Sequence, residues 1–264
     1  MIRSLRRAAR TYGAFAAMTP KLYLAYSLWV WMEFFAQILS MTIFAFFWRA
    51  VYASGRTIGG LSLQQTLNYI LLAQIMLPLI ETRLIFFFGS MIRSGQLAVE
   101  LLRPVDLEGR HYAEAAAGLA LFLLLKSPLA IIGWLFFGLQ LPSDPAVWAA
   151  FAVSLLLGHA VIFCFDWIFA CLAFYSTETW GLSVVRIGVA TFFSGALVPP
   201  AMMPGWLRAI ANALPFAQAL SVPVSILGGI TPVSDAPRVW LTQALWLIGL
   251  GILSRAVFNG AVKK

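Results

Sequence analysis

The sequence predicts an all-α polytopic membrane protein with six transmembrane helices. Hydrophobic residues make up 61% of the chain, and the mean hydropathy is +0.88. Apolar runs long enough to cross a bilayer recur along the sequence, with polar or proline-rich breaks between them. A soluble domain is not this apolar. The length suits one membrane domain over residues 1–264, since each span needs about 20 residues plus a loop.

The first segment, residues 2–17, is basic and amphipathic. On a helical wheel its arginines fall within about 100°, with apolar side chains on the other side. These arginines are Arg3, Arg6, Arg7 and Arg10. We expect a helix along the membrane surface, with the arginines on anionic lipid headgroups; a plain topology signal is the alternative. We expect no cleavable signal peptide, because no short apolar core precedes a small-residue cleavage site.

Six apolar runs are predicted to span the membrane. Their approximate limits are 22–52, 66–91, 113–139, 146–175, 182–197 and 238–258. Lysine and arginine near the span ends indicate orientation, because cytoplasmic loops are enriched in them. With the N-terminus inside, the inner segments hold 11 of these residues and the outer segments hold four. The imbalance predicts that both termini are cytoplasmic.

Residues 92–110, between the second and third runs, form the longest polar interruption. They carry six charges in 19 residues, whereas charged residues make up 11% of the whole chain. Leu97, Leu101 and Leu102 keep a helical apolar spacing among these charges. Pro104 should end the helix, because its ring clashes with the preceding turn and it lacks an N–H. We predict a short amphipathic helix on the cytoplasmic side, available to a partner in the water.

Residues 198–231 are apolar but interrupted by prolines and glycines. No single helix can cross such a segment. We expect short helices at about 204–214 and 216–227 that dip in from the outer face and return, because apolar broken backbone at membrane depth must be buried in protein. An ordinary outer loop is the alternative to this re-entrant hairpin.

Six ionisable residues lie inside the predicted spans, namely Glu33, Glu81, Arg83, Lys126, Asp166 and Arg186. Charge in the bilayer is costly, so each should face protein or water and have a partner. Glu81 and Arg83 are two residues apart and point to different sides of a helix, so they should not pair with each other. We expect Lys126 to pair with Asp166, at similar depth on sequential helices. A structural set of ion pairs is favoured over a polar lining of a substrate path.

The sequence contains no motif of a familiar enzyme. It has no Gly-x-x-x-x-Gly-Lys-Ser/Thr phosphate loop, no His-Glu-x-x-His and no Gly-x-Ser-x-Gly. Cys164 and Cys171 would lie about 10 Å apart on one helix, too far for a disulfide. His111 and His159 have no neighbouring Cys or carboxylate cluster, so no metal site is predicted. The basic residues flank spans, so we expect no nucleic-acid partner.

The order of these features resembles the membrane permease subunit of a type 2 ABC transporter. Residues 92–104, Ile-Arg-Ser-Gly-Gln-Leu-Ala-Val-Glu-Leu-Leu-Arg-Pro, resemble the Gly-x-Leu…Leu-Leu-Arg-Pro stretch of a bacterial branch of these permeases. Residues 174–181, 193–200, 204–208 and 214–216 are also similar to that branch. The resemblance covers most of the chain.

The resemblance implies a transport subunit that is not itself an enzyme and holds no cofactor. Two ABC ATPase subunits would bind ATP and Mg²⁺, and a second permease, the same chain or a paralogue, would complete the path through the membrane lipid. The family is mostly made of exporters, so an amphiphilic or lipid-like substrate leaving across the bacterial plasma (inner) membrane is implied.

The resemblance also implies roles for two groups of residues. The coupling helix that contacts the ATPase would comprise Arg93, Gly95, Leu97, Leu101, Leu102, Arg103 and Pro104. The outer gate would comprise Pro199, Pro200, Pro204, Trp206, Pro215 and Phe216.

Two alternatives remain at this point. An ion-coupled secondary transporter would also contain broken helices, but that class usually has two similar halves with matching interruptions. Here only one end of the sequence is predicted to be broken. A membrane scaffold without transport activity is the other alternative.

Overall fold

The computed structural model describes residue 13 and residues 27–53, 55, 57–81, 84–176 and 178–263. The predicted surface helix at 2–17 lies outside the described residues except for Gly13, which is helical. Within the described part every regular element is a helix, apart from one isolated β-bridge between Ile58 and Leu61. The all-α prediction is therefore confirmed.

Eleven α-helices occur in the described part of the chain. They are α1 Ser27–Tyr52, α2 Leu63–Met76, α3 Leu84–Arg93, α4 Gln96–Leu101, α5 Leu107–Ile132, α6 Pro145–Ala170, α7 Thr179–Phe193, α8 Gly205–Asn212, α9 Pro215–Ala219, α10 Ser221–Leu227 and α11 Ala236–Ala261. Short 3₁₀ turns occur at Leu77–Leu79, Cys171–Phe174, Pro200–Met202 and Val233–Asp235, and a π-helical turn at Gly133–Phe137.

Five stretches of the described chain are long and apolar enough to cross a membrane. They are Val30–Tyr52, Leu63–Arg93, Leu107–Phe137, Pro145–Phe174 and Val233–Ala261. A sixth span results if α8 and the following pair α9–α10, which meet at 70°, are counted as one broken span. The structure therefore agrees with a polytopic membrane protein of five to six spans.

Helix α7 starts and ends three to four residues before the fifth span predicted at 182–197, and it is too short to cross a bilayer core if it lies along the membrane normal. Its 15 residues extend about 22 Å at 1.5 Å per residue, whereas a bilayer core is about 30 Å thick. The chain then leaves the helix through Gly195, whose φ of +83° is a left-handed conformation that favours glycine. This early end separates α7 from the proline-rich segment that follows.

Polar side chains at the helix starts explain several boundaries. Ser62 accepts a hydrogen bond from the Gln65 backbone N–H, and the Gln65 side chain accepts one from the Ser62 N–H. This reciprocal arrangement satisfies two donors that the first turn of α2 would otherwise leave free. Asp106 and Asp144 act in the same way at the starts of α5 and α6, accepting from the Gly109 and Ala146 N–H groups.

Helix α6 is packed against α11, α3, α9 and α10. A Cβ atom added to Gly158 would lie 2.3 Å from the Gln218 carbonyl oxygen, so glycine permits the close contact between α6 and α9. Trp167, near the C-terminal end of α6, is fully buried in an aromatic cluster with Phe88 and Phe258. The middle and the C-terminal end of α6 thus contact different parts of the bundle.

Candidate functional site

The link between α3 and α5 is a tight, folded element. Gly95 has a φ of +73°, a left-handed conformation that ends α3 and allows α4 to start one residue later. Helix α4 has six residues and ends at Leu101, three residues before Pro104. Leu97 is buried in the cluster that contains Trp167, so the start of α4 is fixed to the bundle. The short helix and its end before Pro104 agree with the expectation for this link.

The far end of α4 exposes apolar side chains. Leu102 is 84% exposed, and Val99 and Leu101 are also exposed. The sequence interpretation put Leu97 on the same apolar face as Leu101 and Leu102, but Leu97 points into the bundle and the other two point away from it. Exposed Leu and Val beside the charged Arg103 form a surface that another protein chain could contact.

Ion pairs connect the link to α5. Glu100 is bonded to Arg110, and its carboxylate is also 3.3 Å from Arg103. The Nε atom of Arg110 donates to Glu114 Oε1 at 3.0 Å, one helical turn further along α5. Arg110 is therefore shared by two carboxylates, one on α4 and one on α5.

A second group of ion pairs connects the link to α11. Arg255 donates to both carboxylate oxygens of Asp106, with Nη2–Oδ2 at 2.7 Å, and its Nε is 3.0 Å from Glu108. Ser254 donates to Glu108 Oε1 at 2.6 Å. The Arg255 hydrogen bonds, helped by the Gly109 N–H and opposed by partial burial, hold the pKa of the Asp106 carboxyl below its usual range. The link thus contacts the ends of two long helices.

Arg93, the last residue of α3, lies on the other side of the link. Its Nη1 donates to Thr179 Oγ1 at 3.5 Å, at the start of α7. The close approach of α3 and α7 is possible because Gly89 has no side chain: an added Cβ would lie 2.5 Å from Thr179. The link region therefore touches α7 as well as α5 and α11.

The ionisable residues inside the spans form two cross-helix pairs. Lys126 Nζ donates to Glu33 Oε1 at 3.0 Å, joining α5 to α1. Arg186 Nη2 lies 2.5 Å from Asp166 Oδ1, joining α7 to α6. The predicted pair of Lys126 with Asp166 is wrong, because similar depth on neighbouring helices does not determine which way each side chain points. Glu81 lies just after the 3₁₀ turn, and Arg83 lies outside the described residues.

The proline-rich segment divides into an exposed part and a buried part. Trp206 on α8 is 68% exposed, whereas Pro215, Phe216 and the rest of α9 are buried. Two side chains of α2 hold the entry to this segment: Tyr69 donates to the Gly195 carbonyl at 3.0 Å, and Gln74 to the Ala196 carbonyl at 2.9 Å. The predicted breaks at Pro204 and Pro215 are present, but the single helix expected at about 216–227 is wrong, because Leu220 divides it into α9 and α10. Pro199 and Pro200 lie at the start of the 3₁₀ turn.

A family model decides what kind of protein this is. The model described as ABC-2 family transporter protein matches residues 38–264. The chain belongs to this family. No curated protein matches it at a significant level. As an ABC-2 permease, the chain is a membrane transport subunit of a class that associates with ABC ATPase subunits, which agrees with its resemblance to a type 2 ABC permease.

The permease contains a break in its second span that the sequence interpretation missed. A continuous helix was expected over 66–91, but α2 ends at Met76, a 3₁₀ turn contains Pro78, and α3 starts at Leu84. Proline lacks the N–H that would continue the helix and its ring clashes with the preceding turn. Pro78 is the residue from which the sequence could have predicted this break.

Polar side chains satisfy the carbonyl groups that the break leaves free. Gln37 Nε2 donates to the carbonyls of Gln74 and Ile75 at 3.1 and 3.2 Å. Arg186 donates to the Ile80 carbonyl. Irregular backbone inside a membrane protein requires such partners, because no water is available there. The Asp166–Arg186 pair therefore holds the broken span of the permease in addition to joining α6 and α7.

Proposed function

We propose that this permease is half of the membrane domain of an ABC exporter. Two permeases, the same chain or paralogues, line a path for an amphiphilic or lipid-like substrate. Two separate ATPase subunits, which bind ATP and Mg²⁺, dock against residues 92–110. Closure of the ATPases moves the link, and the link tilts the helices attached to it.

The exposed end of α4 is the observation that carries this proposal. Val99, Leu101 and Leu102 present apolar surface outside the bundle, as expected for a contact with another chain. The ion pairs of Glu100 with Arg110 and of Asp106 with Arg255 attach the same link to α5 and α11. A force on α4 therefore reaches two long helices through short, charged contacts.

The proposed orientation puts the link and both termini in the cytoplasm of a bacterial inner membrane. The excess of Lys and Arg in the segments assigned to that side supports it. The proline-rich segment then lies on the outer side, where Pro199, Pro200, Pro204, Trp206, Pro215 and Phe216 surround the exit gate. This place suits both helices. The exposed α8 can move, whereas the buried α9 is held by its packing.

The experiment is co-purification of the permease with its ATPase, followed by ATP-driven transport. We expect L101E/L102E to insert normally but to reduce ATPase recovery at least about tenfold, or about 1.4 kcal/mol, because charge replaces the apolar contact. V262E is the matched control, since Val262 is exposed at the end of α11 and outside the link. Normal ATPase recovery with full ATP-driven transport by L101E/L102E would overturn the proposal.

A further inference from the structure

A cavity of about 400 Å³ lies between α3, α5 and α6, next to the break in the second span. Its wall is mostly apolar, with Leu84 and Phe87 from α3, Ala115 from α5, and Ile162 and Phe163 from α6. Four ionisable side chains also reach it: His111, Glu114, His159 and Asp166. The volume and the mixture of apolar wall with a few polar groups are typical of small-molecule sites.

His111 offers a hydrogen-bond acceptor to this cavity. The residue is only 7% exposed, and its Nδ1 lies 3.0 Å from the Leu107 carbonyl oxygen. A carbonyl oxygen can only accept, so Nδ1 carries the proton, and Nε2 of the neutral ring is an acceptor. No hydrogen bond to Nε2 is found among the described residues. The ring is also held by packing against Phe88 and Trp167, so its orientation is fixed.

Glu114 offers a second acceptor, with negative charge. Its Oε1 accepts from Arg110, which leaves Oε2 for a ligand. Arg110 is also bonded to Glu100, so its positive charge is shared between two carboxylates. Asp166, in contrast, is committed to Arg186 and is almost fully buried. Glu114 is therefore the charged group of the wall that a ligand can reach.

The wall selects the chemistry of the ligand. Nε2 of His111 and Oε2 of Glu114 are acceptors, and the His159 ring, whose two nitrogens are buried with no hydrogen-bond partner among the described residues, adds one donor and one acceptor. The acceptors outnumber the donor and one of them is a carboxylate, so the wall favours a ligand that donates hydrogen bonds over an anion. The aromatic rings of Phe87 and Phe163 add surfaces that attract a cation. In the described part of the chain, no group of three or more His, Cys, Asp or Glu side chains could hold a metal ion. An organic cation fits these conditions better than a metal ion or an acid.

We propose that this cavity binds an organic ammonium compound with an apolar body. The ammonium group lies between Glu114 and His111, and the apolar body lies against Leu84, Phe87 and Phe163. The ligand binds Glu114 through Oε2, while Arg110 keeps its bonds to Glu114 Oε1 and to Glu100 on the link. That the ligand is the transported substrate rests on the proposed function, whereas its binding does not.

Binding is tested on the purified permease in zwitterionic lipid nanodiscs, without any ATPase. Three photoreactive probes share one alkyl chain and end in a primary ammonium, a hydroxyl or a sulfonate. We expect the ammonium probe to label peptides of α3, α5 and α6 at concentrations at least about tenfold lower than the other two, the factor expected for one charged hydrogen bond. Equal labelling by the three probes would mean an apolar void only and would overturn the proposal.

Two variants test the site itself. E114Q removes the charge, and A115L fills the cavity while leaving the Glu114–Arg110 pair intact. Each should reduce labelling by the ammonium probe at least about tenfold. S127A is the control, because Ser127 lies on the exposed side of the same helix and should label like the wild type. If E114Q does not fold, A115L decides, and wild-type labelling of A115L refutes the site.

The two proposals fail separately. If the permease binds no ATPase, the labelling experiment is unaffected, because it contains none. If the ammonium probe does not bind while ATPase recovery still depends on Leu101 and Leu102, the cavity assignment is wrong and the coupling role stands.

Discussion

The permease contains two kinds of ion pair, and they differ in depth. Asp166 and Arg186 have side chains that are 3% and 2% exposed, between α6 and α7. Asp106 and Arg255 have side chains that are 38% and 48% exposed, where the link meets α11. The first pair also bonds the broken second span through the Ile80 carbonyl. The second pair lies in reach of water.

The difference in depth indicates a difference in role. A buried pair cannot exchange its partner for water, so breaking it leaves an uncompensated charge and the surrounding backbone is fixed. An exposed pair contributes little to stability and can separate at low cost. The deep pair therefore suits the fixed frame of the permease, and the exposed Asp106–Arg255 pair suits a contact that can rearrange.

The largest expected effect is on the deep pair. D166A leaves Arg186 buried without its carboxylate and should lower the free energy of unfolding by about 3–5 kcal/mol. The measurement is an unfolding titration in mixed micelles. The double variant D166L/R186M removes both charges and should recover only part of the loss, because apolar residues can replace the buried pair but the Ile80 carbonyl loses its donor. A D166A protein within about 1 kcal/mol of the wild type would contradict the structural role.

Much of the fold follows from local features of the sequence. Helical content, the positions of the long apolar runs, the short helix before Pro104 and the breaks at Pro204 and Pro215 each depend on residues within a turn or two of each other. Proline acts locally, because it lacks an N–H and blocks the turn before it. Such features could be predicted because they do not require knowledge of which helices are neighbours.

The pairing of distant residues could not be predicted in the same way. Sequence position indicates the depth of Lys126, but its partner depends on how α5 is rotated relative to α1 and α6. The cavity was missed for a related reason: His111 and His159 are 48 positions apart and meet only because α5 packs against α6. The alternation of buried and exposed residues on α4, with Leu97 inside and Leu102 outside, likewise depends on packing.

An intermediate effect is expected for the pair of Lys126 and Glu33. Lys126 is buried, but the Glu33 side chain is 36% exposed and can gain other contacts when Lys126 is lost. K126M, which keeps the apolar stem of the lysine, should lower the free energy of unfolding by about 1–3 kcal/mol. The same unfolding titration measures it, with E33Q/K126M as the matched double variant. If K126M is as stable as the wild type, the Lys126–Glu33 pair contributes as little to stability as an exposed ion pair.

The smallest effect is expected for Asp106, and it should depend on pH. Because the Arg255 hydrogen bonds lower the pKa of Asp106 in the folded protein, the stability it contributes is fully present above its ordinary pKa of 3.8 and is lost as the pH falls through the lower folded value. D106N should therefore cost about 0.2–1 kcal/mol at pH 7 and progressively less below pH 3.8. Unfolding titrations of both proteins at pH 7 and at pH 3 measure this, with E114Q as a comparison at the other ion-pair group. A cost of several kcal/mol at pH 7 would show that the Asp106–Arg255 pair stabilises the fold as much as the Asp166–Arg186 pair does. The difference in role inferred from their depth would then be wrong.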